Sequence, residues 1–340
     1  MRTASAQVLV RRPDVATSVA QFAGDVRHYL TLTPRQLPSR YLYDPLGSAL
    51  FDAICQLPWY GITRAETRLL ARHAHEIFTR LDPLVRIVEL GSGSGEKLTA
   101  LIEAGAWQGT TTLQLHLVDV STAALASAAR MLSAFAGVEV VTHQAPYESG
   151  LAEVARDRTS QGGRTLALFL GSNIGNFDPP GADALLRRIR ESMRPGDALL
   201  LGADLVKPVR DLLLAYDDPL GVTAAFNRNL LVRINRELDA DFDVAGFTHR
   251  AVWNAEVSRV EMHLVSSRQQ RVRIAASGLD LTLQEGEPIW TESSYKYRPN
   301  DVVRLLERHG FRCRAQWSDV QTGFALTLAA VAHDLPTAAM

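Results

Sequence analysis

Val85-Arg-Ile-Val-Glu89-Leu90-Gly91-Ser-Gly93-Ser-Gly95-Glu96-Lys97 is an apolar strand that runs directly into a glycine-rich turn and then a helix. Such a turn lets the backbone come close to a ligand and aims the free N–H groups of a helix start at it. The pattern suits a dinucleotide or S-adenosylmethionine, and glycine turns also close ordinary βα units. Asp119 sharpens the reading, because it ends the next apolar strand, Leu115-His-Leu-Val-Asp119. A carboxylate roughly 20 residues or more past the glycine turn stands where a ribose diol is gripped. Asp119 could instead cap the following helix, although Ser121 is the better cap.

Strands and helices alternate outward from this turn. After the Asp119 strand come a helix, the short strand Val138-Glu-Val-Val141, and the apolar strand Leu166-Ala-Leu-Phe-Leu170, which ends in Gly171-Ser-Asn173-Ile-Gly175-Asn176-Phe177. A helix carrying Leu185, Leu186, Ile189 and Met193 then leads to the strand Ala198 to Gly202. This alternation implies a parallel sheet with helices on both faces, whose ligands bind at the carboxyl ends of the strands, where Gly91, Asp119 and Asn176 fall. The pattern changes after Val206: residues 209 to 238 read as helical, and Val252, Val260 to Val265, Val272 to Ala275 and Leu279 to Leu283 as short strands. Val302 to His309 reads as a helix, and Phe311 to Trp317 with Phe324 to Val331 as a terminal antiparallel pair. At the other end, after a loose start, Val15, Val19, Phe22, Val26 and Tyr29 recur at helical spacing. Ser48 is placed to cap a short helix with Leu50, Phe51 and Ile54, and Thr63-Arg-Ala-Glu66 reads as a capping box opening another.

The chain has 340 residues, 46% apolar and 21% charged, with a formal net charge of -1. It is long enough for a large core plus a smaller domain, and no concentrated basic footprint marks a nucleic-acid partner. No apolar run could span a bilayer and the N-terminus lacks a signal-peptide pattern, so a cytoplasmic protein with no membrane partner is expected. Cys55 and Cys313 lack metal-ligand spacing and read as packing residues, so no metal is expected.

The chemistry narrows by requirement. A nicotinamide-dependent dehydrogenase needs an acid/base residue beside the reacting carbonyl, and none of the nine histidines has an evident catalytic setting. Methyl transfer needs only that an acceptor lone pair be held in line with an activated methyl group. The strand-end residues are mostly hydrogen-bonding types, which suits positioning.

Whole stretches resemble the histidine Nα-methyltransferases of ergothioneine biosynthesis: Tyr41-Leu-Tyr43-Asp44, Gly47-Ser-Ala-Leu-Phe-Asp52, Thr63-Arg-Ala-Glu66, Glu89-Leu-Gly91-Ser-Gly93, Phe169 to Asn176, Gly202 to Lys207, Ala215 to Asp218, Gly221 to Asn229 and Asn235 to Leu238. The resemblance runs from about Tyr41 to the C-terminus. It implies an α/β fold, a Rossmann-like methyltransferase sheet (65–205 and 297–340) with a second, smaller α+β domain for substrate (14–64 and 206–296). Tyr43, Gly91, Lys97 and Asp119 match positions that hold S-adenosylmethionine, with Lys97 facing its carboxylate and Asp119 its ribose. At the adenine the family commonly has an acidic residue and Phe, where this chain has Pro146 and Tyr147, so the N6 contact is lost or moves to backbone. Tyr60, Asn176, Tyr216, Glu292 and Ser294 match positions that hold the amino acid, Asn176 and Tyr216 at its carboxylate, and Met262 matches one beside the ring. The family pocket lies between the two lobes. No residue is assigned as a catalytic acid or base.

Thr291-Glu292-Ser293-Ser294 adds an independent argument. In an extended segment Glu292 and Ser294 point to one side, so a carboxylate and a hydroxyl converge on one ligand edge, which fits an imidazole. The plainer alternative is a solvated Glu292 paired with Lys296 or Arg298. Tyr60-Gly61-Ile62-Thr63 departs from the Tyr-Tyr-Pro-Thr of relatives, which leaves tryptophan or another aromatic or modified amino acid as a rival substrate. A noncatalytic protein that binds S-adenosylmethionine is a second rival, and a dehydrogenase a third.

Overall fold

A computed structural model of the chain describes residues 8–11, 15–105, 107, 112–156 and 162–332. The helices and strands are, in chain order, β1 (Val8–Arg11), α1 (Val15–Leu30), α2 (Pro45–Gln56), α3 (Ile62–Arg80), β2 (Leu84–Leu90), α4 (Glu96–Ala104), β3 (Leu113–Asp119), α5 (Thr122–Leu132) and β4 (Val138–Gln144). There follow α6 (Tyr147–Arg156), β5 (Arg164–Phe169), α7 (Pro179–Glu191), β6 (Ala198–Asp204), α8 (Val209–Tyr216), α9 (Val222–Leu238), β7 (Phe247–Asn254) and β8 (Arg259–Ser266). The chain closes with β9 (Gln270–Ile274), β10 (Leu279–Leu283), β11 (Pro288–Tyr295), α10 (Pro299–Arg308), β12 (Phe311–Asp319) and β13 (Phe324–Val331). Two compact units result, one from Met1–Arg12, Ile62–Leu205 and Tyr297–Met340, the other from Pro13–Gly61 and Val206–Lys296.

The first unit is built on an eight-stranded sheet of order β1-β4-β3-β2-β5-β6-β13-β12. All pairings from β1 to β6 are parallel, and β13 runs antiparallel to both β6 and β12. Every residue of β6 and β13 is buried, as expected of strands covered on both faces. Val88, Leu90, Phe169, Leu186, Ile189, Leu199, Leu306 and Val331 belong to one core cluster on this sheet. The order reverses at β2, which has β3 on one side and β5 on the other. A crevice at the carboxyl ends of β2 and β5 follows from that reversal. The loose start expected at the N-terminus is corrected by β1, a four-residue strand paired with β4 at the sheet edge. So short a strand has no readable periodicity.

The second unit has a three-stranded antiparallel sheet, β11-β8-β7, and the hairpin of β9 and β10. In β8 buried and half-buried residues alternate, the signature of a sheet with one covered face. Two sequence expectations about helix starts are corrected. Asp44, not Ser48, caps α2: its carboxylate accepts from Gly47 N at 2.7 Å, and Pro45 sits at the first helical position. Proline there loses no hydrogen bond and presets the helical φ, so the Asp-Pro pair fixes the start. The second correction concerns Glu66, whose carboxylate points into the first unit instead of completing a capping box. Among the described residues no helix is long and apolar enough to cross a membrane.

Candidate functional site

In the first unit the glycine turn after β2 winds through left-handed backbone at Gly91 (φ 77°), Gly93 (φ 50°) and Gly95 (φ 85°). A Cβ on Gly91 would lie 2.8 Å from Asn173 Nδ2 and 3.1 Å from the Tyr147 hydroxyl, so space and φ both require glycine. Asp119 at the end of β3 accepts from Gly93 N at 3.0 Å with one oxygen and from Ser121 N at 2.9 Å with the other. Ser121 caps α5 through Ala124 N, which leaves the Asp119 carboxylate fixed over the turn with lone pairs to spare for a diol. Burial raises its carboxyl, and the surrounding N–H groups partly offset that. Tyr147, the first residue of α6, packs edge-on to Phe169 at 5.3 Å. Pro146 is exposed, and its carbonyl accepts from Gly150 N as part of the helix start. These features fit a nucleoside-bearing ligand: a turn whose backbone allows close approach, a fixed carboxylate and an aromatic wall.

Beneath the turn is a charge cluster that periodicity alone could have exposed. Glu66 falls on the apolar stripe of α3, with Ile62, Ala65, Leu69 and Leu70, and is fully buried. Both its oxygens accept from Gly171 N, at 2.9 and 2.8 Å, and Oε2 lies 2.6 Å from Lys97 Nζ. Gly202 makes the room, since a Cβ there would sit 2.0 Å from Glu66 Oε1. Glu89 on β2 is 1% exposed and its Oε2 has no hydrogen-bond partner among the described residues. Burial pushes its carboxyl up to about 8, against the pull of Lys97 and with the help of Glu66 and Asp119, so it is neutral at pH 7. Asn176 is half-buried in the 3-10 turn Asn173–Asn176 that follows β5, also in this unit.

The second unit gathers Tyr43, Tyr60, Tyr216, Met262, Glu292 and Ser294. Tyr43 stacks edge-on to Phe51 and Phe226 at 5.5 Å each, Phe51 to Tyr60 at 6.1 Å, and Tyr60 to Tyr216 at 6.5 Å. Burial drives the Tyr60 hydroxyl well above its ordinary range, with Tyr216 adding to it. Tyr216 ends α8, and its carbonyl, one of the acceptors a helix end leaves over, lies 2.8 Å from His249 Nε2. Asn227 Nδ2 is 2.9 Å from His249 Nδ1, and burial lowers the histidine's pKa, so a neutral ring with its proton on Nε2 satisfies both contacts.

A β-bulge re-aims β11. The register with β8 slips between Trp290 and Glu292, and the burial phase slips with it: Ile289 and Thr291 are buried before the bulge, Glu292 and Ser294 after it. Glu292 then stands opposite Met262. Its carboxyl is pushed up to about 7 by burial, with Lys296 opposing the rise. Ser294 Oγ lies 2.7 Å from the Tyr216 hydroxyl, and Lys296 Nζ lies 2.8 Å from both oxygens. Lys296 is 4% exposed and so is not the solvated surface partner of Glu292 that the sequence allows. Its place on the same strand face as Glu292 and Ser294 was the available signal.

Placed together in the first unit are therefore Gly91, Lys97, Asp119, Pro146, Tyr147 and Asn176, and in the second Tyr43, Tyr60, Tyr216, Met262, Glu292 and Ser294. Comparison with known proteins gives this arrangement a family. Residues 22–331 match the profile of the histidine-specific, S-adenosylmethionine-dependent methyltransferases. The histidine N-alpha-methyltransferase of Mycobacterium tuberculosis is 42% identical over 328 residues, covering 94% of this chain and 99% of that protein. Its counterpart from Mycolicibacterium smegmatis is 41% identical over 307 residues, 90% of this chain and 93% of that one. Ergothioneine biosynthesis protein 1 of Neurospora crassa is 26% identical over 291 residues, 84% of this chain but 32% of the longer fungal protein.

Proposed function

We propose, from the premise that the chain belongs to the histidine-specific, S-adenosylmethionine-dependent methyltransferases, that it methylates the α-amine of free L-histidine and continues to the trimethylammonium betaine. The first unit is the donor-binding half and the second the substrate-binding half. One observation carries the choice of acceptor: Glu292 and Ser294 lie side by side on one strand face, Ser294 held by Tyr216 and Lys296. A carboxylate and a hydroxyl in that relation match an imidazole, which offers one N–H and one bare nitrogen.

The donor, when bound, supplies an electrophilic methyl group on a sulfonium. Gly91 and Gly93 allow its approach, Asp119 takes the ribose hydroxyls, and Lys97, with its charge already balanced by Glu66, orients the methionyl carboxylate. Glu292 and Ser294 fix the ring of the acceptor, Tyr216 holds Ser294 in place, and Met262 limits the width beside the ring. What the residues must deliver is a neutral amine held in line, because only that form has the lone pair. A free amino group of this kind titrates near roughly 8 or above, so the rate rises with pH through that range, and the proton leaves through water or a tyrosine hydroxyl. The Tyr43 ring favours the growing ammonium by about 0.5 to 2 kcal/mol.

Purified protein incubated with the donor and a panel of free amino acids tests this directly, the products being weighed for added methyl groups. Histidine carrying three methyls is the expected product. Methylated tryptophan with untouched histidine would move the substrate, and donor binding without turnover of any amino acid would leave a binding protein.

A further inference from the structure

We propose that Lys296 is a positioning residue that fixes Ser294 as a hydrogen-bond donor toward the acceptor's ring, and thereby selects a heteroaromatic ring that pairs an N–H with an unprotonated nitrogen. The inference rests on the histidine reading above and deepens it.

It follows from counting hydrogens. Lys296 Nζ, the Tyr216 hydroxyl and Ser294 Oγ form a triangle with edges of 2.8, 2.8 and 2.7 Å. An ammonium has three hydrogens and no lone pair, so Lys296 donates to both oxygens. Each hydroxyl then has one hydrogen and one further lone pair, and across the 2.7 Å edge one of them must donate to the other. The phenol is the stronger acid and the better donor. Ser294 therefore accepts twice, and its own hydrogen has to leave the triangle. Two residues earlier on the same face stands Glu292, roughly 7 Å along the strand, which presents an acceptor. Donor and acceptor together read the two edges of a neutral imidazole. An indole or pyrrole satisfies only the carboxylate and leaves the serine hydrogen buried without a partner. Without Lys296 the two hydroxyls could turn either way, Ser294 could accept as well as donate, and the ring preference would fade.

Calorimetric binding of L-histidine and of pyrrolylalanine, which keeps a ring N–H but has no second nitrogen, reads this preference without requiring turnover. The parent should bind histidine roughly ten- to a hundredfold tighter. Lys296→Met and Ser294→Ala should each bring the two affinities together, with donor affinity unchanged as the control for folding. A merely structural lysine would weaken both amino acids equally and keep their ratio, and that result overturns the inference. If Lys296→Met fails to fold, Lys296→Arg is read the same way, since a guanidinium cannot centre one nitrogen on both oxygens. A parent that binds neither amino acid overturns the histidine reading itself, whereas a parent that binds histidine beside a Lys296→Met variant with intact preference overturns only the role of the lysine.

Discussion

Glu89→Gln should stabilise the protein by an amount that grows as pH rises above about 5. Glu89 is 1% exposed beneath the glycine turn, and burial lifts its carboxyl from 4.5 to about 8. Between those values the folded state keeps the proton that the unfolded chain has lost. The folded state then binds more protons, so stability falls as pH rises through this window and levels off above about 8. A raised pKa costs roughly 1.4 kcal/mol per unit, so the penalty is roughly 3 kcal/mol at pH 7 and approaches roughly 5 above pH 8. Glutamine is nearly isosteric and carries no titration, so the variant should match its parent within about 1 kcal/mol near pH 5 and exceed it by roughly these amounts above. Urea unfolding followed by the fluorescence of the five tryptophans, repeated across that pH range, measures the difference. A Glu89→Gln variant that is less stable at pH 8, or whose difference from the parent is the same at every pH, would refute the idea that a neutral acid lies under the turn.

Gly91→Ala should lower donor affinity more than tenfold while the protein remains folded, because the new Cβ meets Asn173 Nδ2 and the Tyr147 hydroxyl at φ 77°; calorimetry showing unchanged affinity would count against a ligand at this turn. Ionised, Glu292 accepts with both oxygens and is the stronger partner for a ring N–H, so kcat/KM should rise with pH through about 7 and the limb should vanish in Glu292→Gln, with the substrate's own ionisations persisting in both profiles. Asp44→Ala removes the α2 cap together with the partners of Asn229 Nδ2 and Arg236, each at 2.7 Å, and should cost about 2 to 3 kcal/mol in thermal unfolding. Burial works against the Asp44 charge, but hydrogen bonds from Arg236, Gly47 and Asn229 outweigh it and hold the carboxyl below its ordinary range, so this stability is present above the unfolded value of 3.8 and is lost as pH falls through the folded one.

The sequence by itself determined the sheet and the donor turn, because both are local. Continuous apolar strands, a helix period after each, and glycines where φ turns positive are written over short windows of chain, and Gly91, Asp119 and the Ser121 cap lie where those windows put them. The Gly221 to Asn229 stretch shows the limit of such reading. It was legible as a family mark, and only the folded chain gives its reason: Asn227 holds the ring of His249 and Asn229 holds the Asp44 cap. Tertiary structure alone decided where buried charge goes. Glu66 reads locally as a helix cap, but desolvating a carboxylate is tolerable only beside a cation and a free N–H, and Lys97 and Gly171 supply these from 31 and 105 residues away. The bulge at Thr291 and the Lys296 triangle belong to the same class, since a register slip and a hydrogen-bond closure exist only once two distant segments have met.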